Sequence, residues 1–258
     1  MIKNLVKKLV ASFGYEIRTA PTYDLGEEAS KSIASIRPYT MLPHGRLVTL
    51  YQQVVFCEKH AVPGSFVECG VWKGGAVGLM ALANIKHGLE RRHMHLFDSF
   101  QEICEPDESV DGEEVIERVR KKVGNISLDG KLEPLTGVYD SIGGPGTLEE
   151  NQELLEKTLG YESDYLHYHV GWFQETLPDV SPELGDIAIL RLDGDWYAST
   201  KICLEYLYAK VVSGGFVIID DYGAYEGCRK AVDEFIEENQ LKVYLNHVDN
   251  ICRYWIKP

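Results

Sequence analysis

A chain of 258 residues is long enough for one large α/β domain, and 45% hydrophobic content with 10% aromatics excludes disorder over most of it. The formal charge of −14 excludes the basic patches that nucleic-acid binding requires, so the acidity reads as a solvated surface. Six cysteines, at 57, 69, 104, 203, 228 and 252, show no C-x-x-C spacing and read as reduced, mostly buried thiols of a cytoplasmic protein.

In chain order, "MIKNLVKKLVASFGYEI" sets Lys3, Lys7 and Lys8 among apolar residues. Its uncharged run is too short for a membrane span or a secretory signal. It reads as an amphipathic helix packing on the domain or on a second subunit, with membrane-surface association as the lesser alternative and no stable insertion. Residues 1–62 as a whole read as helical segment and loop, with one helix from about Gly45 to His60.

From Ser65 onward strands and helices alternate. "SFVECGV" (65–71) is a short apolar strand, followed by a helix from about Gly74 to His87 and a second strand, "HMHLFDSF" (93–100). Residues 102–160 exceed a tight crossover and are rich in acids and glycines; they read as an insertion or lid with helices near 113–122 and 148–159. Strands follow at "DYLHYHVGW" (164–172), "DIAILRLDGD" (186–195) and "GFVIIDDY" (216–222); the last two are continuous apolar runs of the kind buried in a parallel sheet. Helices are expected over about Thr200–Lys210 and Gly223–Asn239, and short strands near 242–247 and 251–256. This alternation indicates a doubly wound α/β fold with right-handed crossovers.

Two features carry chemistry. "VECGVWKGGA" places Glu68, Gly70, Gly74 and Gly75 at a strand-to-helix turn, where glycines let backbone approach a ligand and the helix N-terminus is partly positive. The spacing fails the dinucleotide fingerprint G-x-G-x-x-G, and a packing turn is an equal reading. Asp98, ending the second strand, adds an acid where ribose hydroxyls are commonly held, an N-cap or turn role being the alternative. The second feature is a pair of acid doublets, Asp193 with Asp195 and Asp220 with Asp221, each ending an apolar strand. Neighbouring strands would bring these carboxylates together, where they repel unless a cation is bound; hard oxygen donors suit Mg²⁺, with Ca²⁺ or Mn²⁺ as alternatives. Helix capping by Ser199, Asp220 or Asp221 competes with this reading but accounts for one acid per helix start. The pairs His93/His95 and His167/His169 are expected to alternate between core and helix-covered faces and to bind nothing.

With these residues in place, the sequence resembles the macrocin O-methyltransferase (TylF/MycF) family of class I S-adenosylmethionine-dependent methyltransferases. The blocks that carry it are "RPYTM" (37–41), "VPGSFVECGVWKGGA" (62–76), "LFDSF" (96–100), "GWFQETLP" (171–178), "LRLDGDWYAST" (190–200) and "GGFVIIDDYGAYEGCRKAVDEF" (214–235). The resemblance implies a Rossmann-like class I methyltransferase fold: a mostly parallel seven-stranded sheet with a reversed last strand, helices on both faces and an N-terminal helical segment. It implies a methyltransferase domain over 63–258, with 1–62 and 102–160 as lid elements. By motif, Glu68, Gly70 and Trp72 would line the methionine end of S-adenosylmethionine, and Asp98 and Ser99 its ribose and base edge. Trp172 or Phe173 would lie near the adenine, and Tyr39, Thr40 and Met41 in a segment closing over the cofactor. Asp193, also beside the cofactor, Asp220 and Asp221 would hold Mg²⁺, and Asp195 would be the general base. The acceptor implied is a hydroxyl of a sugar on a small-molecule natural product, and the assembly a homodimer or larger. Where the family often has "GLP" after the second-strand motif this chain has "QEICEPDE", which leaves the acceptor open.

Two other readings compete. A haloacid-dehalogenase-like phosphotransferase also sets Asp-x-Asp after an apolar strand, but Trp196-Tyr197 replaces the small residues expected there and the Glu68–Gly75 turn would be without purpose. A non-catalytic adenosine- or metal-binding module is the other, against which the complete acid set argues.

Overall fold

The structure is a computed structural model that describes Tyr23 and residues 25–258; the helix expected over the first seventeen residues lies outside them. Seven strands form one sheet: β1 (Ser65–Cys69), β2 (Met94–Asp98), β3 (Leu166–Val170), β4 (Ile187–Leu192), β5 (Val211–Ile219), β6 (Asn246–His247) and β7 (Arg253–Ile256). Their order is β3-β2-β1-β4-β5-β7-β6. Strands β1 to β5 run parallel, and β7 is antiparallel to both β5 and β6. The chain builds outward from β1 through β2 to β3, then returns to lay β4 against β1. That reversal puts a topological switch point, where open α/β sheets bind ligands, between the carboxyl ends of β1 and β4.

Every residue of β1 and β4 is buried, as expected of central parallel strands covered on both faces. Alternate residues feed two cores. Phe66, Leu96, Ile189 and Ile218 face helices α1 (Glu27–Ile36), α2 (His44–Lys59) and α3 (Gly75–His87). Val67, Phe97, Leu190 and Val217 face α6 (Phe173–Val180), α7 (Tyr197–Leu207) and α8 (Glu226–Glu238). Residues 102–160 hold α4 (Glu113–Val123) and α5 (Leu148–Gln152), which continues as a π-helical stretch over Glu153–Thr158. A third core, of Val115, Ile116, Val119, Leu128, Leu135 and Val138, closes this insertion around Trp196.

The differences from expectation have local causes. Helix α6 was not expected: Pro178 lies inside it, and at its start the Glu175 carboxylate accepts from the Trp172 amide at 3.4 Å. Strand β5 begins at Val211, five residues early, because its irregular first half pairs with Ile187 before the register shifts. Helix α7 starts at Tyr197 rather than Thr200, and β6 is two residues long. The four histidines do not alternate between faces. They form one ladder across β2 and β3, His93 Nδ1 lying 2.8 Å from His167 Nε2 and His95 Nδ1 3.1 Å from His169 Nε2. Residues two apart on a strand share a face, and the parallel register sets His95 beside His167.

Candidate active site

The carboxyl ends of β1, β2, β4 and β5 open into a cavity of about 460 Å³. The residues expected to bind cofactor, metal or proton all line it, whereas Gly74 of the glycine turn does not. Thr40 and Met41 come from the α1–α2 connection, Glu68 from the end of β1, Gly70 and Trp72 from the turn after it, Asp98 from the end of β2 and Ser99 from just beyond it. Trp172 and Phe173 come from the start of α6, Asp193 and Asp195 from the end of β4, and Asp220 and Asp221 from the end of β5.

The first turn is built by close backbone approach. Gly70, at φ +87°, lies where a Cβ would sit 1.9 Å from the Asp193 carbonyl oxygen, so β1 and β4 meet in a way only glycine permits. A Cβ on Gly75 would sit 2.5 Å from the Tyr39 carbonyl oxygen, which is how the Tyr39–Met41 segment rests on the start of α3. Trp72 holds φ +49°, a costly left-handed conformation for a bulky residue. Asp98 Oδ2 accepts from the Val71 and Trp72 amides at 2.6 and 3.1 Å. Asn151 Nδ2 donates to the Trp72 carbonyl at 2.7 Å, and Trp72 Nε1 to the Gly144 carbonyl at 3.1 Å. With Oδ1 also taking the Phe100 amide at 2.7 Å, Asp98 braces the turn, the structural role the sequence left open beside ribose binding.

The acid doublets converge. Asp193, Asp220 and Asp221 each present a carboxylate oxygen within 4.8 Å of the others. Neither doublet caps a helix with a side chain: α7 and α8 begin at Trp196 and Tyr225 without a side-chain cap. Ser199 Oγ donates to the Gly194 carbonyl, and the Tyr197 amide is taken by Asp111 of the insertion, at 2.7 Å. The capping reading is thereby corrected.

Two buried arginines organise the acids. Arg191 Nη1 donates to Glu68 and, at 2.8 Å, to Asp193, while Nη2 donates to Asp220 Oδ1 at 2.7 Å. Arg46, from α2, donates to Asp220 Oδ2 at 2.5 Å and to Asp249 at 2.7 Å. These cations do not balance the acids. Burial, with Asp193 beside it, pushes Asp220 up to about 6, and burial pushes Glu68 up to about 8 despite its arginine. Burial and neighbouring carboxylates raise Asp195 and Asp221 well above the usual carboxylate range. Glu68 Oε2 and Asp221 Oδ2 are buried without a hydrogen-bond partner. An orphaned carboxylate oxygen among three hard donors suits a divalent cation such as Mg²⁺, and the orphaned oxygen of Glu68 suits a ligand ammonium. Asp195 accepts no hydrogen bond among the described residues and takes a left-handed φ of +59°, which aspartate tolerates.

Several lining residues escaped sequence reasoning. Arg191 had a signal, being a charge inside the apolar run "ILRL", where arginine survives burial only when paired. Arg46, Tyr139, Tyr225 and Arg118 lie on other elements and carry no local mark of their place beside the acids.

A family model described as macrocin-O-methyltransferase (TylF) matches residues 2–130 and 148–257. The 8-demethyl-8-(2,3-dimethoxy-alpha-L-rhamnosyl)-tetracenomycin-C 4'-O-methyltransferase of Streptomyces olivaceus is 32% identical over 217 residues, spanning 84% of this chain and 75% of that protein. Mycinamicin III 3''-O-methyltransferase of Micromonospora griseorubida is 27% identical over 264 residues, 98% of this chain and 94% of that protein. The solved structure of the O-methyltransferase NovP superposes with a TM-score of 0.68 at 29% identity, covering 98% and 97% of the two chains. The unmatched stretch, 131–147, supplies Val138, Tyr139 and Ile142 to the cavity wall.

Proposed function

The chain belongs to the macrocin O-methyltransferase family and is an O-methyltransferase, and from that premise we propose that it methylates a sugar hydroxyl with S-adenosylmethionine, assisted by Mg²⁺. The observation that carries the reading is the meeting, in one cavity, of the Glu68–Gly70 turn with carboxylates from the ends of β4 and β5. The sugar acceptor is supported by the Streptomyces olivaceus relative, whose name specifies 4'-O-methylation of a tetracenomycin that carries a rhamnosyl group. The family match leaves the phosphotransferase reading without support.

Each residue then has a task. Glu68 offers its unpaired Oε2 to the cofactor ammonium, and Gly70 lets the turn pass close to the methionine end. Asp98, while bracing Val71 and Trp72, keeps some capacity for the ribose, with Ser99 beside it. Trp172 and Phe173 flank the base. Asp193, Asp220 and Asp221 hold the cation, with Arg46 and Arg191 fixing the orientation of Asp220. When bound, Mg²⁺ supplies Lewis acidity that lowers the acceptor hydroxyl's pKa. Asp195, raised in pKa and free of hydrogen bonds among the described residues, takes the hydroxyl proton as the new oxygen–carbon bond forms and the sulfur–carbon bond breaks. Alignment of oxygen, carbon and sulfur supplies much of the acceleration.

We read 1–62 and 102–160 as closing the cavity from two sides, since Tyr39 to Leu42 and Val138, Tyr139 and Ile142 all line it. The six cysteines are free, five of them buried, which supports a cytoplasmic home. No described helix is long and apolar enough to cross a membrane. A homodimer or larger assembly completes the reading and is checked by sedimentation. The enzymatic test is transfer of labelled methyl from S-adenosylmethionine to a panel of glycosides, with Mg²⁺ or with a chelator. Transfer that needs the metal is expected; transfer undiminished by chelation refutes the metal's part, and cofactor binding without transfer to any acceptor refutes the enzyme assignment.

A further inference from the structure

The cavity has a second half, beyond the acids, that the cofactor reading does not use. Its wall is helix α4, which turns Val115, Arg118, Val119 and Lys122 toward the cavity. These positions are i, i+3, i+4 and i+7, a single helical face. The helix's acids, Glu113, Glu114 and Glu117, are not on that wall. In a chain of net charge −14, one face of this helix therefore shows the cavity two valines and two cations.

Among the described residues four cations line the cavity, and two are already committed: Arg46 and Arg191 are buried against carboxylates. Arg118 and Lys122 are held more lightly. Arg118 bonds Glu114 at 3.0 Å, an exposed i,i+4 pair of the weak kind, and its guanidinium lies 5.8 Å from the Tyr225 ring centroid. Lys122 donates to the Val138 carbonyl at 2.6 Å, which leaves two of its three protons for a ligand. Arg118 and Asp195 line the same cavity, so a group held by Arg118 shares that space with the proposed base. Opposite α4 stand Val138, Tyr139 and Ile142, from the stretch outside the family match. Only that facing stretch falls outside the family match; α4 itself, with Arg118 and Lys122, lies inside it.

We propose that the acceptor carries an anionic group, a phosphate or a carboxylate on or next to the methylated sugar, and that Arg118 and Lys122 hold it. The inference rests on the sugar O-methyltransferase reading and narrows its substrate class. Guanidinium and ammonium groups one helical turn apart grip oxyanions through charge-assisted hydrogen bonds. The flanking valines and Tyr225 would meet the apolar face of the sugar ring.

The test is calorimetry on the full chain loaded with S-adenosylhomocysteine and Mg²⁺, so that no turnover occurs. The probes are methyl glucoside, methyl glucuronide and glucose 1-phosphate. At least one anionic probe is expected to bind tenfold or more tighter than methyl glucoside, and the two anionic arms tell carboxylate from phosphate. The double variant Arg118→Gln/Lys122→Gln is expected to lose that preference while binding S-adenosylhomocysteine as wild type does. Absence of an anionic preference in the wild type, through equal binding or none, overturns the proposal, as does a preference that survives in the double variant. Failure to load S-adenosylhomocysteine or Mg²⁺ is seen before any probe is added and refutes the broader reading instead.

Discussion

Gly70→Ala tests the joint between the cofactor turn and the acid cluster. The substitution has two separable costs. At φ +87° an alanine is strained by about 1–2 kcal/mol. In addition, its Cβ would lie 1.9 Å from the Asp193 carbonyl oxygen, whereas real Cβ contacts essentially never fall below 3.0 Å. Relief therefore requires the end of β4 to move by about 1 Å, carrying Asp193 and Asp195 away from Asp220 and Asp221; a shift of that size at reacting groups costs on the order of 100-fold in rate. Gly214→Ala is the control, because Gly214 has nearly the same φ, +83°, with nothing within 4 Å of a new Cβ. Thermal melts and kcat/KM for methyl transfer are measured on both. Both variants should lose a few degrees of Tm, at roughly 2–4 °C per kcal/mol for a chain of this size. Gly70→Ala should lose more, and it alone should lose about two orders of magnitude in kcat/KM. A Gly70→Ala enzyme within threefold of the Gly214→Ala enzyme would refute the claim that the β1 and β4 ends form one rigid site.

Other outcomes follow from the same contacts. Arg191→Met leaves Glu68, Asp193 and Asp220 without their shared partner and should destabilise the fold by about 3–5 kcal/mol, with adding Glu68→Gln recovering part of the lost Tm. Asp98→Ala strands the amides of Val71, Trp72 and Phe100, so S-adenosylhomocysteine affinity and Tm should both fall, as read by calorimetry and melting. The metal-free protein should lose stability as pH rises from about 4.5 to about 8. Glu68 binds its proton more tightly folded than unfolded, so its contribution is complete below the unfolded pKa and lost through the folded one. Magnesium must displace such protons, so its affinity should rise by up to about tenfold per pH unit below the Asp220 value of about 6, measured by titration calorimetry.

What the sequence revealed divides along physical lines. The strand ends at Asp98, Asp193 and Asp220 were legible because apolar runs ending in acids mark the carboxyl edge of a parallel sheet. Gly70 and Gly75 were legible as a turn, but not the reason for it: Gly70 yields to Asp193, and Gly75 to Tyr39, across the fold. Helix α6 was hidden because its eight residues include Pro178 and are too few for a periodic signal. The counter-charges were hidden for a different cause. Arg46 lies 174 residues from Asp220, and nothing local to α2 shows that its guanidinium ends beneath the acid cluster. Tyr139 sits in a glycine-rich loop whose path is set by the small core around Trp196, a purely tertiary arrangement.

The division of labour among the four carboxylates is tested most directly by Mg²⁺ titration calorimetry on the wild type, Asp221→Asn and Asp195→Asn, each paired with a turnover assay. The account predicts one Mg²⁺ per chain in the wild type and a loss of metal affinity in Asp221→Asn. Asp195→Asn should keep near-native metal affinity while turnover falls by about 100-fold or more. Metal binding lost in Asp195→Asn, or retained in Asp221→Asn, would contradict it.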